Sequence, residues 1–97
     1  MAELKLIRKA VAANAPVTFK FDVYGARFLI KNLSGGDIYA ALKSNATKEE
    51  SALIPPDCAQ VLEARCKGTG SIDTTQIVQV IADASSEKGV EVQCIHW

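Results

Sequence analysis

Residues 17–23 read VTFKFDV, and their alternation decides the fold class. Val17, Phe19, Phe21 and Val23 fall on one side of an extended chain, while Thr18, Lys20 and Asp22 fall on the other. A period of two with one apolar side is what a β-strand needs when one face meets a core and the other meets water. Outward from this stretch the pattern repeats. Tyr24 and Gly25 offer a turn, and residues 26–32 form a second apolar run, so the two strands are expected to close a hairpin. Ser34, Gly35, Gly36 and Asp37 make the next turn, and residues 38–43 continue as a third strand. Residues 44–50 are polar and read as a loop. The short apolar run 52–54 ends at Pro55 and Pro56, which have no N–H to give to a sheet ladder.

Residues 59–65 resume the alternation, and residues 67–71, KGTGS, read as a flexible connector. Residues 75–82 are rich in β-branched side chains and are apolar on both faces. After a loop at 83–89 comes the last strand, 90–97, with Val90, Val92 and Cys94 facing one way and Ile95 and Trp97 the other. The start of the chain fits two patterns. Leu4, Ile7 and Val11, with Leu6 and Ala10 adjacent, would line one side of a short helix. The same residues alternate as a strand, Leu4, Leu6, Arg8 and Ala10 against Lys5, Ile7, Lys9 and Val11, and the β-rich remainder selects the strand. Turn signals every ~8 to 12 residues then predict an all-β domain, a small antiparallel β-sandwich or jelly-roll-like barrel of about seven to eight strands. At 97 residues the chain is expected to form one domain over residues 1–97.

Composition narrows the function classes. An apolar content of 48% suits a folded globule. No apolar run approaches the roughly 20 residues that cross a bilayer, and the N-terminus lacks a signal-peptide pattern, so no membrane partner and no general export are expected. Charge is balanced overall but unevenly placed. Through Lys48 there are eight basic and three acidic residues, and from Glu49 onward three basic and eight acidic. The basic residues are scattered, without an aromatic and arginine-rich stretch on which bases could stack, so no nucleic-acid partner is expected. Strands from both halves should interleave and mix the charges.

Candidate chemistry is sparse. Cys58, Cys66 and Cys94 are an odd number, and eight extended residues put Cys58 and Cys66 roughly 26 Å apart, beyond disulfide reach. They read as reduced thiols. Cys94 and the only histidine, His96, would share a strand face and could give two metal ligands or a thiol and its base, but a structural zinc site needs four ligands. No metal, cofactor or catalytic residue is therefore expected. Gly68 and Gly70 begin a phosphate-binding pattern that Asp73 breaks, so they read as loop. The triplets at 32–34 and 45–47 match a glycosylation acceptor and read as turn chemistry. Glu49 and Glu50 read as a solvated loop. Of the rings Tyr24, Phe28, Tyr39 and Trp97, Tyr24 at a turn and Trp97 at the terminus are the candidates for contacting a glycan.

Three phrases carry a resemblance: RFLIKNLSGGDIYA at 27–40, LIPPDCAQVL at 53–62 and GVEVQCIHW at 89–97. Together they resemble small structural proteins encoded by phages and prophages of Gram-positive bacteria. The resemblance implies a virion-associated β-sandwich, a head decoration, fibre or tail-associated component, assembled in the bacterial cytoplasm and working through contacts with other virion proteins. Apolar residues on both sides of the late strands then predict a homo-oligomer, trimer or dimer, with Ile95 and Trp97 at the interface and Tyr39 as a further candidate. A carbohydrate-binding or receptor-binding module is the alternative expectation, and a small hydrolase-like enzyme the third.

Overall fold

The computed structural model describes residues 5–64 and 74–97, and these form eight strands and one short 3₁₀ turn. The strands are β1 (Lys5–Val11), β2 (Val17–Gly25), β3 (Arg27–Asn32), β4 (Ile38–Ala41), β5 (Ala52–Ile54), β6 (Ala59–Glu63), β7 (Thr75–Ala82) and β8 (Ser86–His96). Pairing nests inward from the ends of the chain: β1 with β8, β2 with β7, β3 with β6 and β4 with β5, all antiparallel. This is one long ribbon doubled back between β4 and β5. The ribbon is then rolled, so that β8 also pairs β3 and β7 also pairs β4. Two four-stranded sheets result, a first of order β1-β8-β3-β6 and a second of order β2-β7-β4-β5, which is the arrangement of a jelly roll.

The 17–23 stretch forms its strand as its alternation requires, with Phe19 and Phe21 buried and Thr18, Lys20 and Asp22 exposed. The N-terminal segment is a strand, not a helix. The hairpin expected between β2 and β3 does not form. β2 pairs with β7 in the second sheet, β3 lies between β8 and β6 in the first, and the chain crosses from one sheet to the other at Gly25. A Cβ at Gly25 would overlap the Cys94 sulfur and stand 2.7 Å from Cζ of Phe28, so glycine lets this corner close onto the core. Ala26 N–H then donates to the His96 carbonyl at 2.7 Å. A turn and a sheet-crossing corner use the same residue types, and only long-range pairing tells them apart.

The core lies between the sheets. Phe19, Phe28, Ile30, Ile38, Val78, Val80, Val90 and Val92 are fully buried, and the Phe21 and Phe28 rings meet at 5.6 Å. Burying a side chain of this size contributes about 1.5–3 kcal/mol. β4 ends at Ala41, two residues before the sequence pattern suggested, and β8 begins at Ser86, four residues earlier than expected. The polar residues at the start of β8 pair across a register break with Val11 of β1.

β7 was expected to show part of its second apolar face to a neighbouring molecule. Residues of its own chain cover much of that face. In the loop between β4 and β5, Ala46 is buried, its carbonyl accepts from Gln79 Nε2 at 2.8 Å and its N–H donates to Gln79 Oε1 at 3.3 Å. Within the same loop Glu50 accepts from the Thr47 N–H at 3.0 Å, closing the 3₁₀ turn Lys48–Glu50. The connector 67–71, Leu4, Arg65, Cys66 and Asp73 lie outside the described residues.

The charged halves do interleave. Arg8 and Lys31 pair with Glu91, Arg27 with Glu63, Lys43 with Glu50 and Lys48 with Asp83, each joining a basic residue of the first half to an acidic residue of the second.

Candidate self-association surface

The outer face of the first sheet is built by the residues that alternate with the core. On β1 these are Leu6 and Arg8, on β8 Glu91 and Gln93, on β3 Arg27, Leu29 and Lys31, and on β6 Ala59, Val61 and Glu63. Register aligns them into three rows. Leu6 faces Gln93, Gln93 faces Leu29 and Leu29 faces Val61, so one mainly apolar row crosses all four strands. The neighbouring row is Arg8, Glu91, Lys31 and Ala59. Cross-strand neighbours in register stand close enough for their side chains to act as one patch.

The third row is Glu63, Arg27 and His96, and Ile95 lies beside it on β8. Between Arg27 and Phe28 the β3–β8 register slips, leaving Ile95 as an extra residue on β8. A bulge of this kind bends the strand that carries it. Ile95 is 45% exposed and Trp97 49%, beside Leu6 at 36% and Val61 at 46%. Both C-terminal interface candidates lie outside the core, but the slip gives the place opposite Arg27 to His96, so the alternation with Val90 and Val92 does not carry through to Trp97. Tyr39 belongs to the other sheet, where its hydroxyl donates to Asp83 at 3.2 Å and Lys48 Nζ lies 4.9 Å from its ring. Its ring and hydroxyl are engaged by its own chain.

The charged row is internally satisfied. Glu91 is buried although it points outward, because Arg8 reaches it at 2.9 Å, Lys31 at 3.4 Å and Gln93 Nε2 donates to it at 2.9 Å. Hydrogen bonds from Gln93, Arg8 and Lys31 hold its carboxyl at about 2 instead of 4.5. A depressed carboxyl contributes stability that is present above its unfolded value and lost as pH falls through the folded one. The protein is therefore expected to lose stability between about pH 5 and pH 2. In Glu91→Gln that part of the acid dependence flattens, measured by urea unfolding at successive pH values. An unchanged slope in the variant would show that Glu91 does not carry it.

The two candidate chemical partners in the last strand are separated. Cys94 is buried and Sγ points to the His96 carbonyl at 3.7 Å, whereas His96 is exposed beyond the bulge. They do not share a face as the strand period suggested. Burial pushes the Cys94 thiol up, away from the thiolate a nucleophile needs. Cys58 is exposed at the turn before β6. Among the described residues, no three His, Cys, Asp or Glu side chains gather where a metal could sit.

The two glycan candidates come to one end of the sandwich. Tyr24, 64% exposed, precedes the corner by one residue, and Trp97 follows His96, whose carbonyl is bonded to Ala26. Of the triplets at 32–34 and 45–47, the first is structural. Asn32 is buried, with Oδ1 accepting from the Ser34 N–H at 2.9 Å and the Ser34 hydroxyl at 2.6 Å. Asn45 takes a positive φ of 57° in its loop, a conformation asparagine tolerates. Leu29 and Val61 were not legible as site residues, because their membership of one row depends on register.

Comparison with protein families, curated proteins and solved structures finds no match to this chain.

Proposed function

We propose that the protein is a non-enzymatic assembly module that self-associates by burying the outer face of its first sheet against a second copy. The single observation that carries this reading is the row Leu6–Gln93–Leu29–Val61, with Ile95 and Trp97 also exposed at the end of the chain. Sheets pack face to face through such rows. A second copy suits the surface better than a charged partner, because Arg8 and Lys31 are already paired with Glu91 and Arg27 with Glu63. The formal net charge of zero also leaves no long-range repulsion between copies. The molecule measures 37 × 36 × 20 Å, so its broad side offers room for the roughly 800 Å² per partner of a standard interface. The virion setting rests on the sequence resemblance, and mass spectrometry of purified phage particles tests it.

Leu6→Glu places a charge in the apolar row and Ile95→Glu one at the bulge after it, both at exposed positions where folding is little affected. Each is expected to reduce the sedimentation coefficient at fixed concentration while circular dichroism and melting stay near those of the parent. Equal coefficients would refute the face contact. A glycan-binding module is the second reading, favoured by the exposed Tyr24 and Trp97 at one end. Its sign would be a change in Trp97 fluorescence on adding a sugar, with the assembly unaltered.

A further inference from the structure

Among the described residues the two sheets have four outer strands, β1, β2, β5 and β6. Outer strands offer unpaired backbone groups, and proteins blunt them with lysine, proline, bulges or shortness. β1 and β2 are joined to each other by side chains. Lys9 Nζ donates to the Thr18 carbonyl at 2.7 Å, Lys5 pairs with Asp22 at 3.1 Å, and the ladders of both strands carry register breaks. β5 has three residues and runs into Pro55 and Pro56. β6, AQVLE, carries no lysine and no proline, and its register with β3 is unbroken.

The direction of the β6 backbone groups follows from the ladder. Asn32 N–H donates to the Cys58 carbonyl at 2.9 Å, and Ala64 N–H to the Ala26 carbonyl at 2.9 Å. In an antiparallel pair hydrogen-bonded residues alternate with non-bonded ones. Residues 58, 60, 62 and 64 therefore bond to β3, and Ala59 and Val61 turn their N–H and C=O away from it. On the core side of this edge lies a cleft of about 360 Å³, whose lining includes Ala40, Ala52, Leu62 and Glu63. An added strand would find its backbone partners along β6 and space for an apolar side chain beside Leu62.

We propose that β6 is a strand-addition edge and that its occupant is the β6 of a second copy, antiparallel, with Val61 on the two-fold axis. In that register the two Val61 residues exchange both N–H···O bonds. Glu63 stands opposite Ala59 of the second copy and meets no like charge. Leu62 of the second copy falls opposite Gln60, on the cleft side. Pairing would continue the Leu6–Gln93–Leu29–Val61 row into its mirror, giving an eight-stranded sheet. The contact is made by backbone groups and is separate from the face contact proposed above.

Amide hydrogen exchange on the intact chain across a concentration series tests this. The Val61 amide is expected to slow at least tenfold from dilute to concentrated protein, while the Gln60 amide, bonded to β3, is protected throughout. A Val61 rate independent of concentration, fast or slow, overturns the proposal. Val61→Ala trims the side chain and keeps the N–H, so it is expected to retain the concentration dependence at neighbouring residues, and Val61→Pro to abolish it. A folded Val61→Pro that still pairs also overturns it. In Leu6→Glu the Val61 slowing persists if the face contact alone has failed, which separates the two contacts.

Discussion

Asn32→Asp is expected to cost on the order of 3–5 kcal/mol, from the penalty for leaving a buried charge uncompensated. Asn32 is a buried side chain at the end of β3 with every polar atom bonded. Its Nδ2 donates to the Gly36 carbonyl at 2.8 Å and the Ile54 carbonyl at 2.9 Å, while Oδ1 accepts twice from Ser34. One amide thus ties the turn at 34–36 to β5 in the opposite sheet. Aspartate has the same shape but turns a carboxylate oxygen toward two carbonyl oxygens. Protonating it leaves one donor for two acceptors. Because burial favours the neutral form, the variant's deficit should shrink as pH falls. Urea unfolding checks this, and a loss under about 1 kcal/mol, the worth of one ordinary hydrogen bond, would show that the network is not holding the sheets together.

Gly89→Ala is expected to cost about 3 kcal/mol or more, since a non-glycine left-handed residue alone costs roughly 1–3 kcal/mol and a backbone clash adds to it. Gly89 has a φ of 62° and sits where the β1–β8 register breaks. A methyl there would overlap the Lys9 carbonyl oxygen and stand 2.8 Å from the Ala10 Cα. Both obstacles are backbone, so no side chain can rotate aside. The glycine also accepts from Leu33 N–H at 3.0 Å, which fixes β8 against the end of β3. Relief requires β1 to move off β8. Melting should fall by at least roughly 12 °C for a domain of this size. A variant melting within a few degrees of the parent would mean that this corner is loose.

The fold class was legible because alternation is a local signal, and residues 17–23 carry it without interruption. The sheet partners were not. Tyr24 and Gly25 read as a hairpin turn, yet Gly25 is a corner whose need for glycine comes from Cys94, sixty-nine residues later. The second apolar face of β7 was visible, but its cover was not, since Ala46 is an unremarkable residue in a polar loop until Gln79 brackets its peptide. Thr47 and Glu50 do bear a spacing that could have marked the 3₁₀ turn. At the candidate surface, Ile95 and Trp97 could be read from one strand. Leu6, Leu29 and Val61 come from three strands, each unexceptional alone, and only the antiparallel registers place them in a row.

Self-association is tested most directly by sedimentation equilibrium of the unmodified chain over a wide concentration range. The account predicts an average mass rising with concentration to at least twice the 10.4 kDa of one chain. A mass of one chain at every concentration, with Trp97 fluorescence equally unchanged, would contradict it.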